Sequence, residues 1–173
     1  MNDNRIRALA LHGIFAAAIA VLTLFASIPL PASSSGAYLN AGDAAVYAAA
    51  WALGPVGGAI AAGIGSALAD ILHGAIIYAP ATLIIKALMG LVCGLLFKRL
   101  RLAAPAVAGL IMPAGYFAYE FFIAREAAVF GLWTNMIQYV FGAVAGIVLI
   151  LALSRVFPKK DIKAKDKTEH KEE

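Results

Sequence analysis

The stretch LGPVGG, Leu53 to Gly58, decides how many times this chain crosses a membrane. It interrupts apolar sequence on both sides, and Gly-Pro and Gly-Gly pairs punctuate helices rather than extend them. Reading GPVGG as a tight connection divides the region into two spans, Asp43 to Leu53 and Gly57 to Gly74. The first is short unless Tyr38 to Gly42 adds a turn.

The composition outside this stretch demands lipid. The chain has 173 residues, of which 62% are hydrophobic and 14% charged, with mean hydropathy +0.85. A soluble domain carries about 25% charged and about 45–50% apolar residues. The sequence therefore reads as a polytopic membrane protein. Its single cysteine, Cys93, lies in an apolar run and has no partner for an internal disulfide. The net charge of +4 is a topology signal before it is a nucleic-acid signal.

A spanning helix needs about 20 mostly apolar residues. The remaining spans are then Ile6 to Ile28, Ala79 to Phe97, Pro105 to Ile123 (with Pro113 as a kink) and Leu132 to Val156. The first is too long for a signal-peptide core and lacks an A-x-A site, so it reads as an uncleaved helix. The expectation is an all-α integral membrane six-helix bundle. Residues 1–158 form the membrane substrate-binding domain, and 159–173 a charged, solvated, disordered tail. Six spans put both ends on one side. Arg5 and Arg7, Lys98 to Arg101, and Arg155 with Lys159 and Lys160 all fall there, which makes that side cytoplasmic.

Polar residues then collect near the opposite face: Asp43, Asp70, His73, Lys86, Glu120, Asn135, Gln138 and Tyr139. An ionisable group at membrane depth marks a functional site by default. Each also has a structural reading. Asp43 can cap a helix. Asp70 and His73 are too few for a metal site. Lys86 can snorkel or pair with Glu120. Asn135 and Gln138 can bond neighbouring helices, and Tyr38, Tyr78 and Trp133 can be belt aromatics. Together they suit a small polar aromatic ligand. Lys86, Glu120, Asn135 and Gln138 would hold its polar edges, and Tyr38, Tyr78, Trp133 and Tyr139 would stack on it.

Small residues at four-residue spacing (Ala16 and Ala20, Gly90 and Gly94, Gly142 and Gly146) let helices approach closely. No Walker A loop, catalytic triad or H-E-x-x-H motif occurs. A solute pocket without an engine implies an engine on another chain. A self-sufficient secondary carrier or channel would need a charge path through the inner half, where the sequence offers none. An enzyme could draw only on Asp70 and His73, so no enzymatic activity is expected.

Y-L-N-A-G-D (Tyr38 to Asp43), L-G-P-V-G-G-A-I-A-A-G-I-G-S-A-L-A-D (Leu53 to Asp70), Y-A-P-A-T-L-I-I-K-A-L-M-G (Tyr78 to Gly90), G-Y-F-A-Y-E (Gly115 to Glu120) and N-M-I-Q (Asn135 to Gln138) resemble the S components of energy-coupling-factor (ECF) vitamin transporters. The likeness covers nearly all of the chain except the tail. It is nearest the branch of hydroxymethylpyrimidine, pyridoxine-type and riboflavin carriers. The resemblance implies a multi-pass subunit in a prokaryotic plasma membrane. It implies a lid at GAYLNAGD, with Tyr38 and Asn40 facing the ligand. It also implies a transmembrane coupling subunit docking at Ala16 and Ala20, and two ATP-binding cassette ATPases. ATP would be used by those partners, with no cofactor on this chain.

Overall fold

The computed structural model describes residues 3–29 and 38–156. The tail expected at 159–173, Gly36 and Ala37 of the expected lid, and the side chain of Tyr38 lie outside the described residues. The elements are α1 (Asp3–Phe25), β1 (Ser27–Pro29), β2 (Tyr38–Asn40), α2 (Gly42–Leu72), α3 (Ala79–Leu100), a 3-10 turn (Arg101–Ala103), α4 (Ala104–Gly109), α5 (Ile111–Ile123) and α6 (Arg125–Val156). Among the described residues, four helical stretches are long and apolar enough to cross a membrane: Arg5–Phe25, Gly42–Leu72, Ala79–Ile123 and Ala128–Val156. Two of these fold back on themselves, so the six expected helices emerge as arms of four continuous stretches.

The first reversal is at Gly54, whose φ of 77° and ψ of −171° break α2 into arms 42–53 and 55–72. That φ favours glycine, and Pro55 follows in the first turn of the second arm. In an unbroken helix, residues eight apart are separated by about 12 Å. Here a Cβ on Gly58 would stand 2.6 Å from the Cα of Ala50. GPVGG is therefore a tight connection between two arms that lie side by side. The second reversal follows α3, where Arg101 takes φ 49° and ψ −119°.

Pairings fix the direction of each arm. The second arm of α2 runs antiparallel to α3: Gly58 meets Gly90, and Pro55 meets Gly94. It runs parallel to α1, with Gly57 against His12 and Gly65 against Ala16. α5 runs antiparallel to α3, pairing Tyr116 with Thr82 and Met112 with Lys86. α6 runs parallel to the first arm of α2, with Gly142 on Asp43 and Gly146 on Tyr47. Six arms thus alternate in direction, and the start of α1 and the end of α6 share one end of the bundle. Exposed Arg5, Arg7, Lys98, Arg99, Arg101 and Arg155 gather there.

Several boundaries differ from expectation. α1 stops at Phe25 rather than Ile28, because Ser27–Pro29 pairs antiparallel with Tyr38–Asn40, Ser27 opposite Asn40. The expected lid is thus in part a two-stranded ribbon. α6 begins at Arg125, seven residues before Leu132. Glu126 in its first turn favours the positive helix end, and Arg125 lies 4.7 Å from the Phe121 ring centroid. The break in the fifth span falls at Leu110, between α4 and α5, and not at Pro113 itself. Pro113 cannot donate to the carbonyl of Gly109 and its ring crowds that group, so α4 ends there.

Small residues supply many of the close contacts, and many large aliphatic side chains face outward. The core holds Ala45, Ala49, Ala50, Ala61, Ala62 and Ala108, whereas Ile14, Ile64, Ile84, Val144 and Val148 are exposed. This is the arrangement of a multi-pass membrane protein, whose outer surface is apolar and whose helices pack through small residues.

Gly94→Ala tests that packing. Its new carbon would meet Pro55 backbone atoms at 2.6–2.7 Å, whereas at Gly13 nothing lies within 4 Å. Overpacking costs about 1–3 kcal/mol. Gly94→Ala should lower the thermal midpoint in detergent by several degrees, and Gly13→Ala should leave it unchanged or raised. Equal midpoints for the two variants would contradict the close approach.

Candidate functional site

A cavity of about 360 Å³ opens between the helix ends at the ribbon side of the bundle. Its inner wall is an ionic network. Asp43, at the start of α2 and 2% exposed, forms a buried ion pair with Lys86 of α3. Gln138 Nε2 donates to Asp43 Oδ2 at 2.9 Å. The Sδ of Met112 lies 3.0 Å from Lys86 Nζ, and the Tyr116 ring centroid 6.0 Å from it. A buried charge is costly unless paired and hydrogen-bonded. Here the two opposite charges share one site, and an amide completes the carboxylate's shell.

The same amide holds the ribbon. Gln138 Oε1 accepts from the Asn40 backbone N–H at 2.9 Å, and Nε2 donates to the Asn40 carbonyl at 3.1 Å. Gln138 behaves as a one-residue strand beside β2. The Asn40 side chain then accepts from the Gly42 N–H at 2.9 Å, closing the step from ribbon to helix. Both amide hydrogens of Gln138 are used. In this arrangement Gln138 positions the ribbon and Asp43.

The outer wall comes from α3, α5 and α6. Tyr78 packs edge-on against Tyr119 with centroids 5.7 Å apart. Thr82 Oγ1 and Tyr116 OH are 2.7 Å apart. Glu120 lines the cavity with Asn135, and its Oε2 is buried with no hydrogen-bond partner among the described residues. Lys86 pairs with Asp43 and not with Glu120, because α2 rather than α5 brings its carboxylate to the ammonium.

Of the expected site residues, Asn40, Tyr78, Lys86, Glu120, Asn135 and Gln138 all line the cavity. Trp133 does not: it is 69% exposed on the outer face of α6. Tyr139 does not either, since its hydroxyl donates to the Ala106 carbonyl at 2.9 Å and its ring packs on the core. The aromatic residues that do line the cavity are Tyr78 and Tyr116. Only the backbone of Tyr38 is described, in β2. Ala16 and Ala20 turn inward. The Ala16 carbonyl lies 2.5 Å from where a Cβ on Gly65 would stand, and Ala20 is 5% exposed. Ala17 and Ala18, beside them in α1, are exposed, as are Ala8, Ala10 and Gly13. Among the described residues no three His, Cys, Asp or Glu side chains are grouped to hold a metal ion. Sequence reasoning left Asp43 out of the site, and also missed Thr82, Met112 and Tyr116.

The profile of the family described as "ECF-type riboflavin transporter, S component" matches residues 3–155. This chain belongs to that family. It is the substrate-binding membrane subunit of an ECF-type importer. Among relatives, the thiamine precursor transporter HmpT of Lactococcus lactis subsp. cremoris (strain MG1363) is 30% identical over 156 residues, 90% of this chain and 92% of its own. An uncharacterized protein of Pyrococcus woesei is 33% identical over 149 residues, covering 83% of this chain and 96% of its own. A solved structure of the S component of a bacterial ECF transporter superposes with TM-score 0.72 at 20% identity, covering 88% of this chain and 98% of that one. At that identity it speaks for the fold alone.

The network predicts a specific non-additivity. Lys86→Met or Asp43→Asn alone breaks the buried pair, which costs about 3–5 kcal/mol. The double variant Asp43→Asn/Lys86→Met leaves no uncompensated charge and should recover more than half of the larger single loss. Thermal unfolding of the four proteins in detergent reads this. Losses that simply add would mean the two groups do not share one site.

Proposed function

We propose that this S component captures a vitamin or vitamin precursor, a hydroxymethylpyrimidine- or pyridoxine-like heterocycle, at the outer face of a prokaryotic plasma membrane. The observation that carries the reading is the cavity itself. Its volume of about 360 Å³ is at the small end of the ligand-site range of about 300–1,000 Å³. Its walls combine the Tyr78 and Tyr116 rings with Lys86, Glu120 and Asn135. Rings can stack on a planar ligand, and the polar groups can orient it. The likeness to a thiamine precursor transporter over most of both chains supports a one-ring ligand. Riboflavin is the second reading, favoured by the family's description.

The six alternating arms act as six crossings with both termini cytoplasmic. The gathering of exposed basic side chains at the end opposite the cavity supports this orientation. The S component binds no cofactor and catalyses no reaction. A transmembrane coupling subunit and two ATP-binding cassette ATPases supply the energy, and ATP is consumed there. Within this chain the Asp43–Lys86 pair and the Gln138 clamp fix the floor and the ribbon. Lys86, Asn135 and Glu120 then meet the ligand's polar edge.

Mass spectrometry of small molecules that co-purify with the protein, followed by titration with a vitamin panel, tests the ligand. A hydroxymethylpyrimidine or pyridoxine should bind more tightly than riboflavin, and Asn135→Ala should weaken that ligand about 10-fold or more. Tight binding of riboflavin alone would replace the first reading by the second. In a Cys93→Ala background, an impermeant thiol reagent applied outside should label Gly74→Cys and not Leu100→Cys. The reverse pattern would invert the topology.

A further inference from the structure

We propose that Glu120 sets the specificity of this cavity by selecting amino-substituted heterocycles that carry no phosphate or carboxylate. This rests on the reading of the cavity as a vitamin-precursor site and narrows it. Glu120 is 9% exposed, and its Oε2 faces no donor among the described residues. Buried polar atoms in native proteins are almost always hydrogen-bonded, so an orphaned acceptor lining a cavity points to a donor on the ligand.

The opposite wall is built around this carboxylate. Gly131 of α6 faces it, and a Cβ at that position would collide with both carboxylate oxygens and the carbon between them. Glycine there leaves the space the carboxylate occupies.

The charge balance sets the ligand's sign. Three carboxylates line the cavity, from Asp43, Asp70 and Glu120, together with one lysine and the imidazole of His73. Lys86 is already paired with Asp43, and Arg125 sits over the Phe121 ring. The surplus is acidic and acceptor-rich. A phosphate or carboxylate on the ligand would meet like charge in a poorly solvated site. An exocyclic amine on an electron-poor ring supplies N–H donors, whereas an oxo group at the same place sets acceptor against acceptor. Sites built to hydrogen-bond one ligand group reject analogues lacking it far more strongly than they reject a change in apolar bulk.

Isothermal titration of the full-length protein in detergent reads the preference. The probes are 4-amino-5-hydroxymethyl-2-methylpyrimidine, its 4-oxo counterpart, its phosphate monoester, pyridoxine and riboflavin. The amino compound should bind at least about 100-fold more tightly than the oxo compound or the ester. Glu120→Leu should reduce that ratio to below about 10. Gly131→Ala pushes on the end of a flexible side chain rather than on backbone, so it should keep the wild-type thermal midpoint and still lower the ratio. Wild-type protein that binds amino and oxo compounds equally would overturn the proposal, as would a ratio unchanged in Glu120→Leu. Tight pyridoxine or riboflavin binding with no pyrimidine binding would overturn it while leaving a vitamin site in place. Failure to bind any probe would sink the small-heterocycle reading and this proposal together.

Discussion

The ion pair between Asp43 and Lys86 is the constraint on which the rest of this structure depends. Two opposite charges are enclosed among membrane helices, and neither is tolerable there alone. The pair ties the first residues of α2 to the second turn of α3. Gln138 joins from α6 and, in the same gesture, grips both backbone groups of Asn40. Three helices and the ribbon are thereby indexed to one point. The cavity lies directly above it, so the geometry that stabilises the bundle also defines the floor of the cavity.

Close helix packing makes this possible. Gly90 and Gly94 let α3 lie against the second arm of α2, and Gly142 and Gly146 let α6 lie against the first arm. Without a hydrophobic force between helices in lipid, such contacts and the buried polar groups hold the bundle. Gly54 supplies the remaining condition. By turning the chain back within one residue, it places Asp43 at the ribbon end and leaves the second arm to carry Ser66 and Asp70 up to the same cavity.

Much of the fold was legible because lipid imposes simple rules. Apolar runs of fixed length, GPVGG and the basic loops gave the number and direction of the helical arms. The site was legible by residue type and depth, and less so by partner. Asp43 reads equally as a helix cap or as a buried acid, and nothing local announces a lysine 43 positions later. Gln138 was legible as a polar cavity residue but not as a clamp, because its partner is a three-residue strand that no periodic pattern marks. Trp133 is a different case. It lies two residues from Asn135, about 200° around the helix, so both could not face one cavity. That geometry was available in the sequence. Ala16 and Ala20 carried the signature of close approach correctly, but spacing alone does not say whether the neighbour is within the chain or outside it.

The central claim is that an S-component ligand occupies the space between the Asp43–Lys86 floor and the Glu120 wall. Ligand protection of an introduced thiol tests it most directly. In a Cys93→Ala background, Thr134→Cys places a thiol on the cavity wall and Ala17→Cys one on the exposed face of α1. The account predicts that saturating hydroxymethylpyrimidine slows modification at position 134 by about 10-fold or more, as expected when a bound ligand covers most of its site, and leaves position 17 unchanged. Unaltered labelling at position 134 under conditions where calorimetry shows the ligand bound would place the site elsewhere.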